Sequence, residues 1–255
     1  MMKSVLCVVA HPDDETIAVA GTLSLMTSQG TDAHIVCATR GEGGELGDPP
    51  VCTREELPAV REAELRCAAS AIGASGVTFL DYVDPLTGPD DELFPFEADF
   101  DALVAQMQTL VREHAPSLVL THGGDGDYGH PAHILMHQAV KMALENMSDP
   151  PLFYTFAARV PNIEDHLWNQ NEPAHLALDV RPWLDAKEAA ARCHKTQHVL
   201  FMRKKDAKTL RDTLRTVEAY HRHLPRLDEG EPPRDPFADL LRAAGAWEPD
   251  HRNDG

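Results

Sequence analysis

The stretch SVLCVVAHPDDETI, Ser4–Ile17, decides how the rest of the chain is read. Ser4–Ala10 is a short run rich in β-branched residues, the composition of a buried strand. It runs directly into His11, Pro12 and three acids, Asp13, Asp14 and Glu15. Apolar residues then return at helical spacing over Thr16–Gln29, at Ile17, Leu23, Leu25 and Met26, and Gly30 supplies a stop signal. Adjacent carboxylates repel, so this strand-to-helix turn needs a compensating partner: solvent, the helix dipole or a cation.

Working outward, the alternation repeats. Strands are predicted at Asp32–Thr39, Val77–Leu80, Ser117–Thr121 and Leu152–Val160. Helices are predicted at Ala59–Ile72, ending at Gly73, at Phe96–His114, closed by Pro116, and at Pro131–Asn146. Strands alternating with helices imply an α/β fold, a Rossmann-like, mostly parallel sheet with helices on both faces. In such sheets ligands bind beyond the carboxyl ends of the strands. The pattern changes after a short run at His175–Val180, with helical spacing over Ala186–Gln197 and Lys205–His221 and a tail rich in Pro, Asp, Glu and Arg. The expected organisation is therefore an α/β domain over 1–180 and a C-terminal helical segment over 181–255 packed on it, with the final HRNDG disordered. No internal repeat is visible.

Composition narrows the function. The 255 residues are 43% apolar and carry a formal net charge of −18. That acidity disfavours nucleic-acid backbones and anionic membrane surfaces, which require clustered Lys and Arg. No segment is long and apolar enough for a signal or a membrane span. The five cysteines, Cys7, Cys37, Cys52, Cys67 and Cys193, form no C-x-x-C pair, and Cys7 and Cys37 sit in apolar runs. The expectation is no disulfide framework and a reducing, cytoplasmic setting.

His11 and Asp14 offer one imidazole and one carboxylate at the edge where a site is expected, a donor set that zinc accepts at about 2.0–2.2 Å. Acids in a first helical turn are also favoured by the helix dipole, each by roughly 0.3–1 kcal/mol. A second cluster, GGDGDYGHPAHILMH at Gly123–His137, tips the balance toward a cation. It follows the fourth strand and opens a helix at Pro131. His130 and His133 are three apart, and His133 and His137 are four apart, a spacing of paired zinc ligands on a helix. Spacing alone does not choose between these pairs. Three protein ligands plus water is the usual composition of a catalytic zinc site.

HPDDE at His11–Glu15 and GDYGHPAH at Gly126–His133 resemble the PIG-L/LmbE-like zinc de-N-acetylases. Weaker matches are TRGEGGE (Thr39–Glu45), REAEL (Arg61–Leu65), FLDYVD (Phe79–Asp84) and HKTQ (His194–Gln197), so the resemblance spans roughly residues 4 to 200 in order. It implies His11, Asp14 and His133 as metal ligands, with His137 left a structural residue. It implies Asp13 as the base, His130 as oxyanion donor or acid, and Tyr128 as a site tyrosine polarising the carbonyl. Arg61 and Asp84 match sugar-binding positions, and Glu42 in the loop GEGGELG (Gly41–Gly47) is a further candidate substrate contact. The implied cofactor is Zn2+, with Fe2+, Co2+ or Mn2+ as alternatives. The implied reaction removes acetyl from an N-acetylglucosamine-type sugar: water attacks the amide carbonyl and Asp13 takes its proton. Relatives are often homo-oligomers, although no exposed apolar helix face argues for assembly here.

One departure stands out. The usual H-P-D-H reads His130-Pro131-Ala132-His133 here. Ala132 removes the acid beside His130, leaving Asp125 or Asp127 to replace it or the pH optimum to fall. The competing readings are a zinc-binding protein without turnover, or a metallo-amidase for another N-acyl substrate. The loops Gly47–Leu57 and Pro85–Phe96 are expected to shape the pocket for the rest of the substrate. GEGGELG lacks phosphate-loop spacing and carries two acids, no G-x-S-x-G occurs, and the basic FMRKKDAK (Phe201–Lys208) reads as a solvated helix start.

Overall fold

A computed structural model describes residues 2–250 except 166, 206 and 229; the side chains of 203–205 and the HRNDG tail lie outside the described residues. The strands are β1 (Ser4–Val9), β2 (Asp32–Thr39), β3 (Gly76–Tyr82), β4 (Leu118–Thr121), β5 (Leu152–Phe156), β6 (Ala158–Arg159), β7 (Asn169–Pro173), β8 (Leu176–Asp179) and β9 (Val217–Leu224). The helices are α1 (Asp14–Ser28), α2 (Leu57–Ala71), α3 (Phe100–His114), the short α4 (Gly126–Gly129), α5 (Pro131–Glu145), α6 (Leu184–Cys193), α7 (His198–Lys205), α8 (Leu210–Thr213) and α9 (Pro236–Ala243).

Seven strands form one sheet in the order β3-β2-β1-β4-β5-β9-β8. Strands β1 to β5 run parallel, and β9 runs antiparallel to both β5 and β8. The side-chain alternation of β1 divides the core. Val5, Cys7 and Val9 join the layer containing α1, α2 and α9 residues, whereas Leu6 and Val8 join the layer under α3 and α5. The chain winds from β1 through β2 to β3 in one direction and resumes at β4 in the other. The sheet therefore has its switch point between β1 and β4, where an α/β crevice opens.

Two expectations are corrected. The segment 181–255 is not purely helical. Part of the predicted helix Lys205–His221 is strand β9, which lies inside the sheet between β5 and β8. Its sequence VEAYHRHL does not alternate cleanly between apolar and polar residues, and charged Glu218 sits in its interior. Glu218 is fully buried and takes hydrogen bonds from Gly21 N (2.9 Å), Thr22 N (2.8 Å) and Lys187 Nζ (2.6 Å). Lys187 is also fully buried and donates to Ile17 O at 3.0 Å, so β9, α1 and α6 are tied at one point.

The second correction concerns cysteine. Cys67 of α2 and Cys193 at the end of α6 form a disulfide across 126 residues, while Cys7 and Cys37 are free and buried as expected. No local spacing announces the bond, because packing of α2 on α6 brings its halves together. The cysteine argument for a reducing compartment therefore falls. Removing the cross-link with Cys67→Ser should destabilise the chain by about 2–4 kcal/mol, since the bond closes a long loop in the unfolded state. Denaturant melts of the oxidised chain and the variant measure it; coincident midpoints would contradict the expectation.

Candidate metal centre and active site

The site lies beyond β1 and β4. Its first half is the turn His11–Asp14 between β1 and α1. Asp13 caps α1 with φ 115, a left-handed conformation that costs a non-glycine residue about 1–3 kcal/mol. Several contacts hold it there. Glu15 Oε2 accepts from Asp13 N at 3.0 Å, and Glu15 Oε1 meets His194 Nε2 at 2.9 Å. Arg61 donates to Pro12 O and to Gly41 O (3.0 Å), and its guanidinium is 3.6 Å from Asp13 Oδ1. A Cβ at Gly41 would sit 1.9 Å from Arg61 Nη1, so the glycine is what lets that side chain through.

The second half is the loop after β4. Asp127, at φ 66, takes hydrogen bonds on Oδ2 from His122 Nδ1 (2.7 Å) and His133 Nδ1 (3.0 Å). Asn169 of β7 fixes it from behind, through Asn169 Nδ2 to Asp127 Oδ1 and Asp127 N to Asn169 Oδ1, both 2.9 Å. Gly123 leaves room for that amide, because a Cβ there would lie 2.2 Å from Asn169 Cγ.

The two halves bring the implied ligands together. His133 Nε2 is 3.3 Å from His11 Nδ1 and 3.3 Å from Asp14 Oδ1, and His11 Nδ1 is 3.5 Å from Asp14 Oδ2. His133 donates through Nδ1 to Asp127, so its Nε2 carries a lone pair in the neutral ring. That lone pair faces His11 Nδ1, an arrangement that needs a proton or a cation between the two nitrogens. Burial alone would push His11 down, but Asp84 and Asp14 raise it to about 9. Asp14 is opposed by burial yet held well below the usual carboxylate range by His133, His11 and His122. Two imidazoles and a carboxylate in this arrangement fit a divalent cation such as zinc. His122 is near Asp14 but stands outside the set, because its Nε2 lone pair already accepts from Ala10 N at 3.0 Å.

The other residues fall into place around these. Burial raises Asp13 to about 6, with Arg61 opposing and Asp14 adding to the rise, which is a poise suited to accepting a proton near neutrality. His130 stacks on His133 with ring centroids 4.6 Å apart, and its Nδ1 accepts from Ala132 N at 3.2 Å, so the ring hydrogen sits on Nε2. Burial, His11 and His133 push His130 down to about 2. The acid missing at Ala132 is not replaced: Asp127 is engaged with His122 and His133, and Asp125 accepts from Asn171 N and Nδ2 at 2.8 and 2.7 Å. Tyr128 is 41% exposed and stands edge-on to His130 and His133, at 5.7 and 5.4 Å between centroids.

The three expected sugar contacts are placed differently from one another. Arg61 is buried and donates through Nη1 and Nη2 to Gly41 O and Pro12 O, so it acts as a clamp on the HPDD turn rather than an exposed helix charge. Asp84 Oδ1 lies 3.2 Å from His11 Nε2, where it orients the imidazole. Glu42 Oε2 accepts from Asp84 N at 2.9 Å and fixes the segment bearing that acid. His137 turns away from His133 and donates through Nδ1 to His122 O at 2.9 Å.

Sequence reasoning missed His122, the role of Asp127, and Asn169. A His directly ending the fourth strand was the available signal for His122; nothing local marks Asn169. The weak HKTQ motif also gains a physical meaning. His194 holds Glu15, Thr196 bonds Glu64 through N (2.9 Å) and Oγ1 (2.6 Å), and Gln197 Nε2 reaches Glu45 O at 3.1 Å.

Residues 6–144 match the family model PIG-L, described as GlcNAc-PI de-N-acetylase. The chain is 31% identical to 1D-myo-inositol 2-acetamido-2-deoxy-alpha-D-glucopyranoside deacetylase of Rhodococcus jostii (strain RHA1), across 76% of this chain and 82% of that protein. Its fold is similar to that of the 4-carboxy-2-hydroxymuconate hydratase of Pseudomonas putida KT2440, with a TM-score of 0.61 and 25% identity, covering 90% of this chain and 100% of that one. It is also similar to that of N,N'-diacetylchitobiose deacetylase from Pyrococcus horikoshii, with a TM-score of 0.62 and 19% identity, covering 87% and 84%.

Proposed function

Because the chain belongs to the PIG-L (GlcNAc-PI de-N-acetylase) family, we propose that it is a metal-dependent deacetylase that hydrolyses the acetamide of an N-acetylglucosamine-type sugar or sugar conjugate. The observation that carries this reading is the facing pair His11 Nδ1 and His133 Nε2, 3.3 Å apart beside Asp14, with Asp13 at the adjoining turn. Fold alone would not choose the reaction, since one protein of similar fold is a hydratase.

His11, Asp14 and His133 would hold the cation. When bound, it supplies Lewis acidity, lowering the pKa of water toward about 7 and drawing charge from a carbonyl oxygen. Asp13 takes the proton of the attacking water as the C–O bond forms. His130 contributes as a neutral donor, its Nε2–H aimed at the negative charge developing on the amide oxygen; losing one such donor costs roughly 2.7–4 kcal/mol of transition-state stabilisation. This replaces the protonated-acid role, consistent with Ala132 beside it. Tyr128 covers the same face. As the C–N bond breaks, the proton held by Asp13 passes to the amine nitrogen, and acetate and the free amino sugar leave.

Arg61, Asp84 and Glu42 act on this reaction by positioning the turn and His11. The rest of the substrate meets the rim formed by the segments after β3 and before α2. Val83 and Leu86 flank Asp84 and are 65% and 62% exposed, and Val51 is 52% exposed, an apolar edge suited to a bulky conjugate. Among the described residues no helix is long and apolar enough to cross a membrane; the substrate is read as a sugar-derived small molecule from the name of the deacetylase relative.

The test is acetate and free-amine release from N-acetylglucosamine, its inositol and malate conjugates and diacetylchitobiose. Equal acetate and amine, lost on chelation and restored by Zn2+, is expected with at least one conjugate. Stoichiometric metal with no amine from any of them would leave the chain a metal-binding protein without this turnover.

A further inference from the structure

His137 lies one turn beyond His133 on α5 but faces a different set of neighbours. Glu172 of β7 and His223 of β9 meet it, and one donor atom from each of the three residues lies within 4.8 Å of the other two. His137 and Glu172 are buried and His223 is partly buried. None of the three belongs to the site described above.

Three features prepare this cluster for an ion. His137 Nδ1 lies 2.9 Å from the His122 carbonyl oxygen; a carbonyl only accepts, so Nδ1 carries the hydrogen and Nε2 presents its lone pair. Glu172 is held in place by its neighbours. It accepts from Gly124 N at 2.8 Å and from the Thr155 hydroxyl at 2.5 Å, and His223 Nε2 lies 3.2 Å from its Oε1. Gly124 opens the space between the donors, because a Cβ there would sit 3.1 Å from Glu172 Oε1 and 3.6 Å from His137 Nε2.

We propose that His137, Glu172 and His223 form a second divalent-cation site, which takes Zn2+ or a similar borderline ion through two imidazole nitrogens and one carboxylate oxygen. That donor set is one that zinc accepts. The ion joins α5, β7 and β9, three elements far apart in sequence. Through Gly124 and the His122 carbonyl it also braces the loop that carries Asp127 and His130.

The experiment is equilibrium dialysis of the chelator-stripped full chain against Zn2+, read as equivalents bound, with Co2+ absorption as an independent record. The native chain should bind two equivalents. His223→Gln and His11→Ala should each bind one, and the double variant none. Gly124→Ala removes no donor but should weaken the second equivalent by about tenfold or more, as displaced supporting groups do. A native chain that binds one equivalent, kept in His11→Ala and lost in His223→Gln, supports this site while removing the cation from the proposed reaction. One native equivalent that His11→Ala abolishes, or two retained in His223→Gln, overturns the inference. If circular dichroism shows that His223→Gln does not fold, Gly124→Ala decides: unchanged affinity for the second equivalent overturns it.

Discussion

Asp13→Asn should lower kcat by about 10²–10⁴-fold, the usual contribution of a positioned general base, with metal content unchanged. Asparagine is the informative replacement. It tolerates the left-handed backbone that Asp13 adopts, so the turn survives, and it keeps the shape of the side chain. What it loses is the ability to take a proton. Asp14 is next in sequence but faces His11 and His133, so it is not free to substitute. Steady-state kinetics on the best substrate, with metal analysis of the same sample, measure the effect. Full activity in Asp13→Asn would remove Asp13 from the role of base; lost metal would mean that the turn itself had moved.

Lys187→Met should cost about 3–5 kcal/mol of stability, because it strands the Glu218 carboxylate in the interior without its cation. In a chain of this size that corresponds to a fall in Tm of about 6–20 °C. The partner change Glu218→Gln keeps an oxygen for Gly21 N and Thr22 N but removes the charge. The double variant should therefore lose less than the sum of the two single losses, and the difference measures the coupling of the pair. Strict additivity in thermal melts would mean that the two side chains do not act as a pair.

The parts of the fold visible in the sequence were those with a local period. β1 to β4 and their helices announce themselves through apolar spacing and Gly or Pro stops, and β2 agrees with its predicted span at both ends. β9 was hidden because its interior holds Glu218, whose partners come from α1 and α6. The disulfide was hidden for the same reason: Cys67 and Cys193 become neighbours only when α2 packs on α6. At the site, HPDD and GHPAH were legible because a tight turn and a helix start force short-range juxtaposition. Arg61 shows the limit of that reading. Glu62 and Glu64 beside it look like solvated helix charge, yet its environment is set by the glycines of a loop twenty residues earlier in the chain.

The place of β9 has a consequence for how the chain is made. A ribosome delivers the residues of β1 to β5 long before Val217–Leu224 exists. During that interval β5 is an open edge, its backbone N–H and C=O groups unpaired along one side, and such an edge invites pairing with another nascent chain. Nearly all the catalytic side chains have by then been synthesised, but α1, which carries Asp14 and Glu15, still lacks its anchor at Glu218. A fragment stopped after β8 would hold the HPDD and GHPAH signatures in full and still present a sticky, loosely held sheet. The last strand to be synthesised both seals the assembly and fixes the helix at which the chemistry begins.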